Sequence, residues 1–245
     1  MRRGNIDISF IIIVVILAGM SLREGAFTDP KTWFIQKLII IPGIFVGLTF
    51  HEFAHAFVAN RLGDPTPKLQ GRVTLNPTAH IDLMGLICLF FVGFGWGRPV
   101  QIDPSQFPYS KRRIDEFLVS VAGVAMNFLI AFVFAFVVKG ILVATGGGWM
   151  YSEFGQSIYL MLFYVIYINL VLMIFNLIPM PPLDGFNIIA QIGGFGQSDI
   201  YWTIYRYGSW ILIALIVFNI TSMIISPCVR VIYNFIAAIA GLPGM

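Results

Sequence analysis

The chain has 245 residues, of which 58% are hydrophobic and 11% are charged, and its mean hydropathy is +0.85. A soluble domain carries about 25% charged and 45–50% apolar residues, so this composition excludes an ordinary soluble domain and predicts a polytopic membrane protein. The net charge of +3 is too small to suggest a nucleic-acid partner. Cys88 and Cys228 lie in apolar stretches, and their spacing indicates neither a disulfide nor a thiolate metal site.

The amino-terminal half contains two predicted membrane spans and a segment of a different kind. Residues 8–20 follow a basic start and predict a first span that is retained, because no clear small-residue cleavage site follows. Residues 38–59 number 22, enough to cross a hydrocarbon core that needs about 20 helical residues. Residues 81–95 are apolar but too few for a crossing, which favours a re-entrant segment. Alternating side chains in residues 72–75 and 97–102 predict two short strands around it.

The carboxy-terminal half predicts four more helices. Three spans and one short helix follow in chain order, at residues 117–138, 157–179, 208–225 and 231–242. Pro227 and Arg230 separate the last two. The predicted fold class is therefore an all-α polytopic membrane protein with about six transmembrane helices and a short re-entrant, β-containing segment between the second and the third. We treat residues 1–245 as a single membrane-embedded domain.

The distribution of basic residues predicts the orientation, because Lys and Arg near span ends accumulate on the cytoplasmic side. The loop that begins at Lys139 holds no other basic residue up to Gln156, whereas the stretch between the second and third spans holds seven. These seven are Arg61, Lys68, Arg72, Arg98, Lys111, Arg112 and Arg113. We therefore predict an integral, multi-pass protein of the cell membrane whose amino terminus and 60–116 segment face the cytoplasm.

The second span carries His51-Glu52-Phe53-Ala54-His55 near its end. Ionisable side chains at that depth are costly and indicate a functional site by default. Positions i and i+4 lie on one face of a helix, so His51 and His55 can bind one ion. Zinc hydrolases use this spacing, with two His as ligands and the Glu as the base that takes a proton from water. The alternatives are an internally paired polar cluster or haem ligation.

A catalytic zinc needs a third protein ligand, and Asp184 is the best candidate. It follows the break Pro179-Met180-Pro181-Pro182 and precedes Gly185, which permits a close approach of the backbone. An Asp at the end of an apolar segment is costly unless a cation or a donor neutralises it. The alternative is that Asp184 caps the next helix. For His80, the third histidine, a structural role or a role in supporting the ligands is favoured over a ligand role.

These motifs resemble the site-2 protease family of intramembrane zinc metalloproteases. The resemblance rests on the HExxH at the end of a span, on Asn176-Leu177-Ile178-Pro179-Met180-Pro181-Pro182-Leu183-Asp184-Gly185, and on the distance between the two motifs. Supporting matches are Gly63-Asp64-Pro65-Thr66, Gly71-Arg72-Val73-Thr74-Leu75-Asn76-Pro77, Ala79-His80-Ile81-Asp82 and Phe94-Gly95-Trp96-Gly97-Arg98-Pro99-Val100. The likeness covers a catalytic core of about residues 38–210 and fits the compact subgroup without a PDZ insertion. Ala122-Gly123-Val124 stands where the family has Ala-Gly-Pro.

The resemblance implies one Zn²⁺ per chain, held by His51, His55 and Asp184, with Glu52 as general base. The implied activity is hydrolysis of a peptide bond within or near the transmembrane segment of a membrane-bound substrate, near the cytoplasmic side. Asn127 is expected to donate to the developing oxyanion or to hold the substrate backbone, with hydrogen bonding between helices as the alternative. The expected partners are a transmembrane protein substrate and the lipid bilayer.

The rival function is a membrane metal transporter that uses the same His and Asp cluster as a transit site. Such a protein needs acidic or His side chains along a path through the whole bilayer. Here the ionisable candidates lie at one side, which favours the protease.

Overall fold

The computed structural model describes residues 19, 28–92, 95–196 and 198–245. The predicted first span, residues 8–20, lies outside the described residues apart from Gly19. Nine α-helices occur in residues 28–245 as described: α1 Pro30–Leu62, α2 Thr66–Leu69, α3 Pro77–His80, α4 Leu83–Val92, α5 Arg112–Thr145, α6 Glu153–Asn176, α7 Asp184–Gly193, α8 Asp199–Val217 and α9 Ile220–Ala240. Five of them, α1, α5, α6, α8 and α9, are long and apolar enough to cross a membrane.

The boundaries predicted for the last two spans are wrong. The chain breaks at Asn219, which adopts a positive φ of 60°, and not at Pro227, which lies inside α9. Asn adopts the left-handed conformation more readily than most residues do, so it can end one helix and begin the next. A proline inside a membrane helix is tolerated where neighbouring groups satisfy the freed backbone. Residues 208–225 are therefore divided between two helices.

The two short strands predicted at residues 72–75 and 97–102 are also wrong. Among the described residues the only β pairing is an isolated antiparallel bridge between Ile81 and Gly97, beside which the Arg98 N–H donates to the His80 carbonyl at 2.7 Å. Beyond Arg98, the described residues of the 97–102 segment form no backbone pairing with a neighbouring strand. The Val100 N–H donates to Glu52 at 2.9 Å.

The bridge closes a hairpin that contains α4. Ten residues of helix rise about 15 Å, half of a hydrocarbon core of about 30 Å. At its far end the Phe90 ring lies 5.6 Å from the Trp33 ring near the start of α1. The returning chain packs tightly on α4, because an added Cβ at Gly85 would lie 1.9 Å from the Trp96 carbonyl oxygen. The hairpin therefore begins and ends at the bridge, and α4 touches α1 through the Phe90 and Trp33 rings.

Small residues on α1 allow it to pack closely against α6. An added Cβ at Gly43 would lie 2.7 Å from the Tyr164 carbonyl oxygen, and one at Gly47 would lie 2.6 Å from Leu172 Cδ1. Glycines four residues apart are a common device for close approach between membrane helices. His51 follows Gly47 by four residues and therefore lies on the same face of α1. The packing of this face against α6 thus directs the histidine side chains toward the protein interior.

Candidate metal centre

Three possible ligand atoms converge between α1 and α7. His51 Nε2 lies 3.2 Å and His55 Nε2 lies 3.3 Å from Asp184 Oδ2. The two Nε2 atoms are 3.1 Å apart. Within the described residues these three side chains are the only group of His, Cys, Asp and Glu that could hold a metal ion.

The spacing of these atoms fits a tetrahedral zinc site. Ligand atoms about 2.0–2.2 Å from a tetrahedral ion are separated from one another by about 3.3 Å, close to all three observed distances. Asp184 Oδ2 is buried and has no hydrogen-bond partner, so this oxygen lacks the donor that a buried carboxylate normally requires. Two neutral imidazoles and one carboxylate are also a ligand set of catalytic zinc sites.

Glu52 follows His51 on α1 and lies in the same turn of that helix. Its Oε2 accepts the Val100 N–H at 2.9 Å, which ties the extended 97–102 segment to this end of α1. Oε2 therefore has a fixed partner from the loop. This hydrogen bond fixes the position of the 97–102 segment relative to Glu52 and thus to the end of α1 that carries the two histidines.

Comparison with known proteins decides the family. The model of peptidase family M50 matches residues 39–218. This chain belongs to peptidase family M50. The Bacillus subtilis protein named "Putative zinc metalloprotease YwhC" is 38% identical over 184 residues, which cover 75% of this chain and 82% of that protein. The Mycobacterium tuberculosis protein named "Putative zinc metalloprotease Rip2" is 27% identical over 191 residues, covering 76% and 69%. No solved structure matches.

The family and the apolar helices identify this M50 peptidase as a membrane zinc metalloprotease. The resemblance to the site-2 protease family is thereby confirmed. The names of the relatives support zinc as the metal. The transporter alternative is not favoured, because the family model matches a peptidase over most of the chain.

Asn127 fixes the orientation of His51 in the M50 peptidase. Its Oδ1 lies 2.6 Å from His51 Nδ1, and its amide nitrogen donates to the Gly47 carbonyl at 3.2 Å and to Asn169 Oδ1 at 2.9 Å. Because Asn127 Oδ1 accepts, His51 Nδ1 carries the proton and Nε2 presents its lone pair to the centre. Both Asn127 N–H groups therefore have partners inside the protein. Asn169 is fully buried beside it and donates in turn to the Val165 carbonyl at 2.7 Å.

His55 is oriented in the same way by the backbone of α5. Its Nδ1 donates to the Val119 carbonyl at 2.7 Å, which directs Nε2 toward Asp184. Gly123 follows Val119 by one turn of α5, and its backbone is in close contact with both imidazole rings. An added Cβ there would lie 2.4 Å from His55 Nε2 and 2.6 Å from His51 Cε1. The absence of a side chain at Gly123 therefore makes room for both imidazoles.

Asp184 is placed by the turn that precedes α7. Gly185 packs against the end of α6, since an added Cβ would lie 2.3 Å from the Leu177 carbonyl oxygen. Gly208 of α8 lies against the same turn, where an added Cβ would meet Pro181 atoms at 2.6–2.8 Å. Asp184 is the first residue of α7, and the N-cap residue is Leu183, so Asp184 does not have the capping role that was its alternative.

His80 is not part of the metal-binding group. Its ring is fully buried, and its Nε2 lies 2.8 Å from the Thr74 carbonyl oxygen. Its backbone carbonyl binds the Arg98 N–H beside the Ile81 bridge. These contacts give His80 a structural place in the loop that leads to Val100, in agreement with the structural role favoured from the sequence.

Three features of the centre were missed from the sequence alone. The contact of Gly123 with the imidazoles had a signal, because Ala122-Gly123-Val124 matches part of a family motif. The series Gly43, Gly47, His51, His55 also repeats every four residues, and this periodicity predicts one shared face. The bond between Glu52 and Val100 had no local signal, because 48 residues separate them.

Proposed function

We propose that this chain is an intramembrane zinc protease that hydrolyses a peptide bond within or near the transmembrane segment of a membrane-bound substrate. The observation that carries the proposal is the convergence of His51 Nε2, His55 Nε2 and Asp184 Oδ2 at 3.1–3.3 Å. These atoms come from a helix of spanning length and from the break that follows another one. An ion bound there would lie between helices that cross the bilayer.

The depth of the centre supports cleavage below the lipid headgroups. His51 lies ten residues before Arg61 on α1, a distance of about 15 Å at 1.5 Å per residue. Basic side chains mark the membrane surface, and Arg61 is one of the seven basic residues between the second and third spans. We propose that this surface is cytoplasmic and that the peptide bond is cut near it.

We propose further that the hairpin closed by Ile81 and Gly97 is the re-entrant segment. Its ends are joined by the β bridge, so the chain leaves on the side on which it enters. Leu83 and Met84 at the start of α4 are exposed apolar side chains that suit contact with lipid. The hairpin would bring the 97–102 segment, and with it Val100, to Glu52.

In the proposed mechanism His51, His55 and Asp184 would hold one zinc ion per chain. Bound zinc supplies a Lewis acid that polarises a carbonyl and lowers the pKa of a bound water to about 7. Glu52 accepts the proton of the attacking water and later delivers it to the leaving amine.

We propose a positioning role for Asn127 in place of donation to the oxyanion. Its two N–H groups are directed to Gly47 and Asn169, and its oxygen holds the His51 ring. A hydrogen bond to the second ring nitrogen fixes the tautomer of a ligating His and raises its basicity. Asn127 therefore acts on the reaction through His51.

The function is tested with the purified protein in lipid nanodiscs and a panel of single-span substrates, with and without a chelator. We expect cleavage that the chelator abolishes and added zinc restores, with cleavage sites within or near the substrate's transmembrane segment by mass spectrometry. Cleavage that survives removal of all bound metal, or cuts confined to segments far from the membrane, would contradict the proposal.

Replacing Asn127 by Ala tests its positioning role. We expect the zinc affinity to fall about 10–100-fold, the usual effect of removing a partner of a metal ligand, measured by competition with a fluorescent chelator. Asn234→Ala is the matched control, because Asn234 binds the Met245 N–H near the carboxy terminus and not the centre. Wild-type zinc affinity with a large loss of kcat would favour the oxyanion role instead.

A further inference from the structure

The carboxy-terminal end of α7 is hydrogen-bonded to side chains in the first turns of α5. The Arg113 guanidinium donates through Nε to the Gln191 carbonyl and through Nη2 to the Ile192 carbonyl. The Gln191 side chain is buried, and its Nε2 donates to Glu116 Oε2 at 2.5 Å. Carbonyls in the last turn of a helix lack the usual partner within the helix, and here α5 supplies side-chain donors to two of them, in addition to the Gly194 N–H that donates to the Gln191 carbonyl.

The carboxy-terminal end of α7 is related to the metal centre by equal residue spacings on α5 and α7. Asp184 and Gln191 are seven residues apart on α7, and Glu116 and Gly123 are seven residues apart on α5. Seven residues are close to two helical turns and rise about 10.5 Å, so each pair shares one face of its helix. Gly123 lies against the imidazoles that Asp184 approaches, and Glu116 binds Gln191. The two helices therefore run antiparallel, with a direct contact at Glu116 and Gln191 and a link through the two imidazoles at the other end.

The helix α5 is the element best suited to fix the position of α7 along its axis relative to the two histidines. It orients His51 through Asn127 and His55 through the Val119 carbonyl. On its other side, α7 is held by α8, where the Phe186 and Tyr201 rings stack at 5.0 Å and the Tyr201 hydroxyl donates to Asn187 at 2.9 Å. Of the five described spanning helices, α8 has the smallest buried share, whereas α5 carries the contacts to both histidines.

We propose that Arg113, Glu116 and Gln191 are positioning residues that set the distance between Asp184 and the two imidazoles. A slip of α7 by one residue moves Asp184 by about 1.5 Å, whereas ligand distances in metal sites hold within about 0.2 Å. The contacts at Gln191 thus prevent a movement that would remove the third ligand. The inference rests on the proposed metal role of Asp184.

The test uses the full-length protein in nanodiscs and compares Glu116→Ala, Gln191→Ala and Glu116→Gln. For the two alanine variants we expect zinc affinity to fall about 10–100-fold, a changed visible absorption spectrum of the Co²⁺-substituted protein, and a lower kcat with little change in KM. Glu116→Gln keeps an oxygen acceptor for Gln191 and is expected to match the wild type.

Exchanging Glu116 and Gln191 between the two helices tests the hydrogen bond without shortening either side chain, because the double variant is expected to recover zinc affinity. Gln191→Glu alone places two carboxylates against each other and is expected to weaken zinc binding. Adding Glu116→Gln restores one donor and one acceptor and is expected to restore the affinity and the Co²⁺ spectrum. This pair of variants decides the question even if Glu116→Ala does not fold.

Lys139→Ala is the matched control. Lys139 also belongs to α5 and binds the end of a helix, since its Nζ donates to the Gly241 carbonyl at 3.1 Å, but that end belongs to α9. We expect lower thermal stability with an unchanged Co²⁺ spectrum. Thermal destabilisation without any change in metal affinity or spectrum in Glu116→Ala and Gln191→Ala would overturn the inference. A wild-type protein that binds neither zinc nor Co²⁺ would overturn the proposed function instead.

Discussion

Replacing Gly123 by Ala is expected to abolish zinc binding and cleavage while leaving the helices folded. The added methyl would lie 2.4 Å from His55 Nε2 and 2.6 Å from His51 Cε1, whereas non-bonded carbon contacts are favourable at about 3.5–4.0 Å. Both rings must then move by about 1 Å, far beyond the 0.2 Å that metal sites tolerate. We expect zinc affinity to fall more than about 100-fold, measured as metal content and by chelator competition.

Gly140→Ala is the control for this substitution. Gly140 belongs to the same helix, but an added Cβ there would meet no atom within 4 Å. Since Ala is a better helix former than Gly by about 1 kcal/mol, we expect equal or higher thermal stability and unchanged zinc affinity. Full zinc occupancy in Gly123→Ala would show that the metal does not lie between the two imidazoles.

Glu52→Gln is expected to lower kcat about 10²–10⁴-fold, the usual contribution of a general base, with zinc retained. The Gln side chain keeps an oxygen that accepts the Val100 N–H, so the 97–102 segment stays in place. What it loses is the ability to take a proton from water. Cleavage of a single-span substrate and zinc content, measured on the same preparation, test both parts of this result.

Glu52→Ala separates proton transfer from loop anchoring. It removes the base and also the acceptor for Val100, so we expect it to raise KM or lower stability in addition to the loss of kcat. Near-normal cleavage by Glu52→Gln would assign the base to another group. Loss of zinc in Glu52→Gln would make Glu52 a metal ligand.

Much of the candidate site could be predicted because its signals are local. His51 and His55 share a helix face on account of their spacing, and this holds wherever the helix packs. Asp184 was recognised because a carboxylate after a multi-proline break in an apolar chain requires a cation or a donor. The family is confirmed, whereas the ligand set stays a prediction that the zinc measurements test.

The predicted elements fail where long-range contacts outweigh a local pattern. The alternation in residues 97–102 suggested a strand, but the Val100 N–H binds Glu52 and leaves only the bridge between Ile81 and Gly97. Pro227 suggested a helix break, but the break lies at Asn219. In the first case a side chain distant in sequence took the N–H that a strand partner would need. In the second case the left-handed backbone conformation of Asn219 decided where the helix ends.

By itself the sequence determined the apolar helices, the face shared by the two histidines, and the presence of a carboxylate at a helix break. Only the tertiary structure decided that Asn127 orients His51, that Gly123 makes room for both rings, and that Gln191 is fastened to α5. The physical reason is that periodicity fixes which residues share a face, but not how far a helix is rotated or shifted against its neighbours. Distances of 3.2–3.3 Å between α1 and Asp184 depend on that packing.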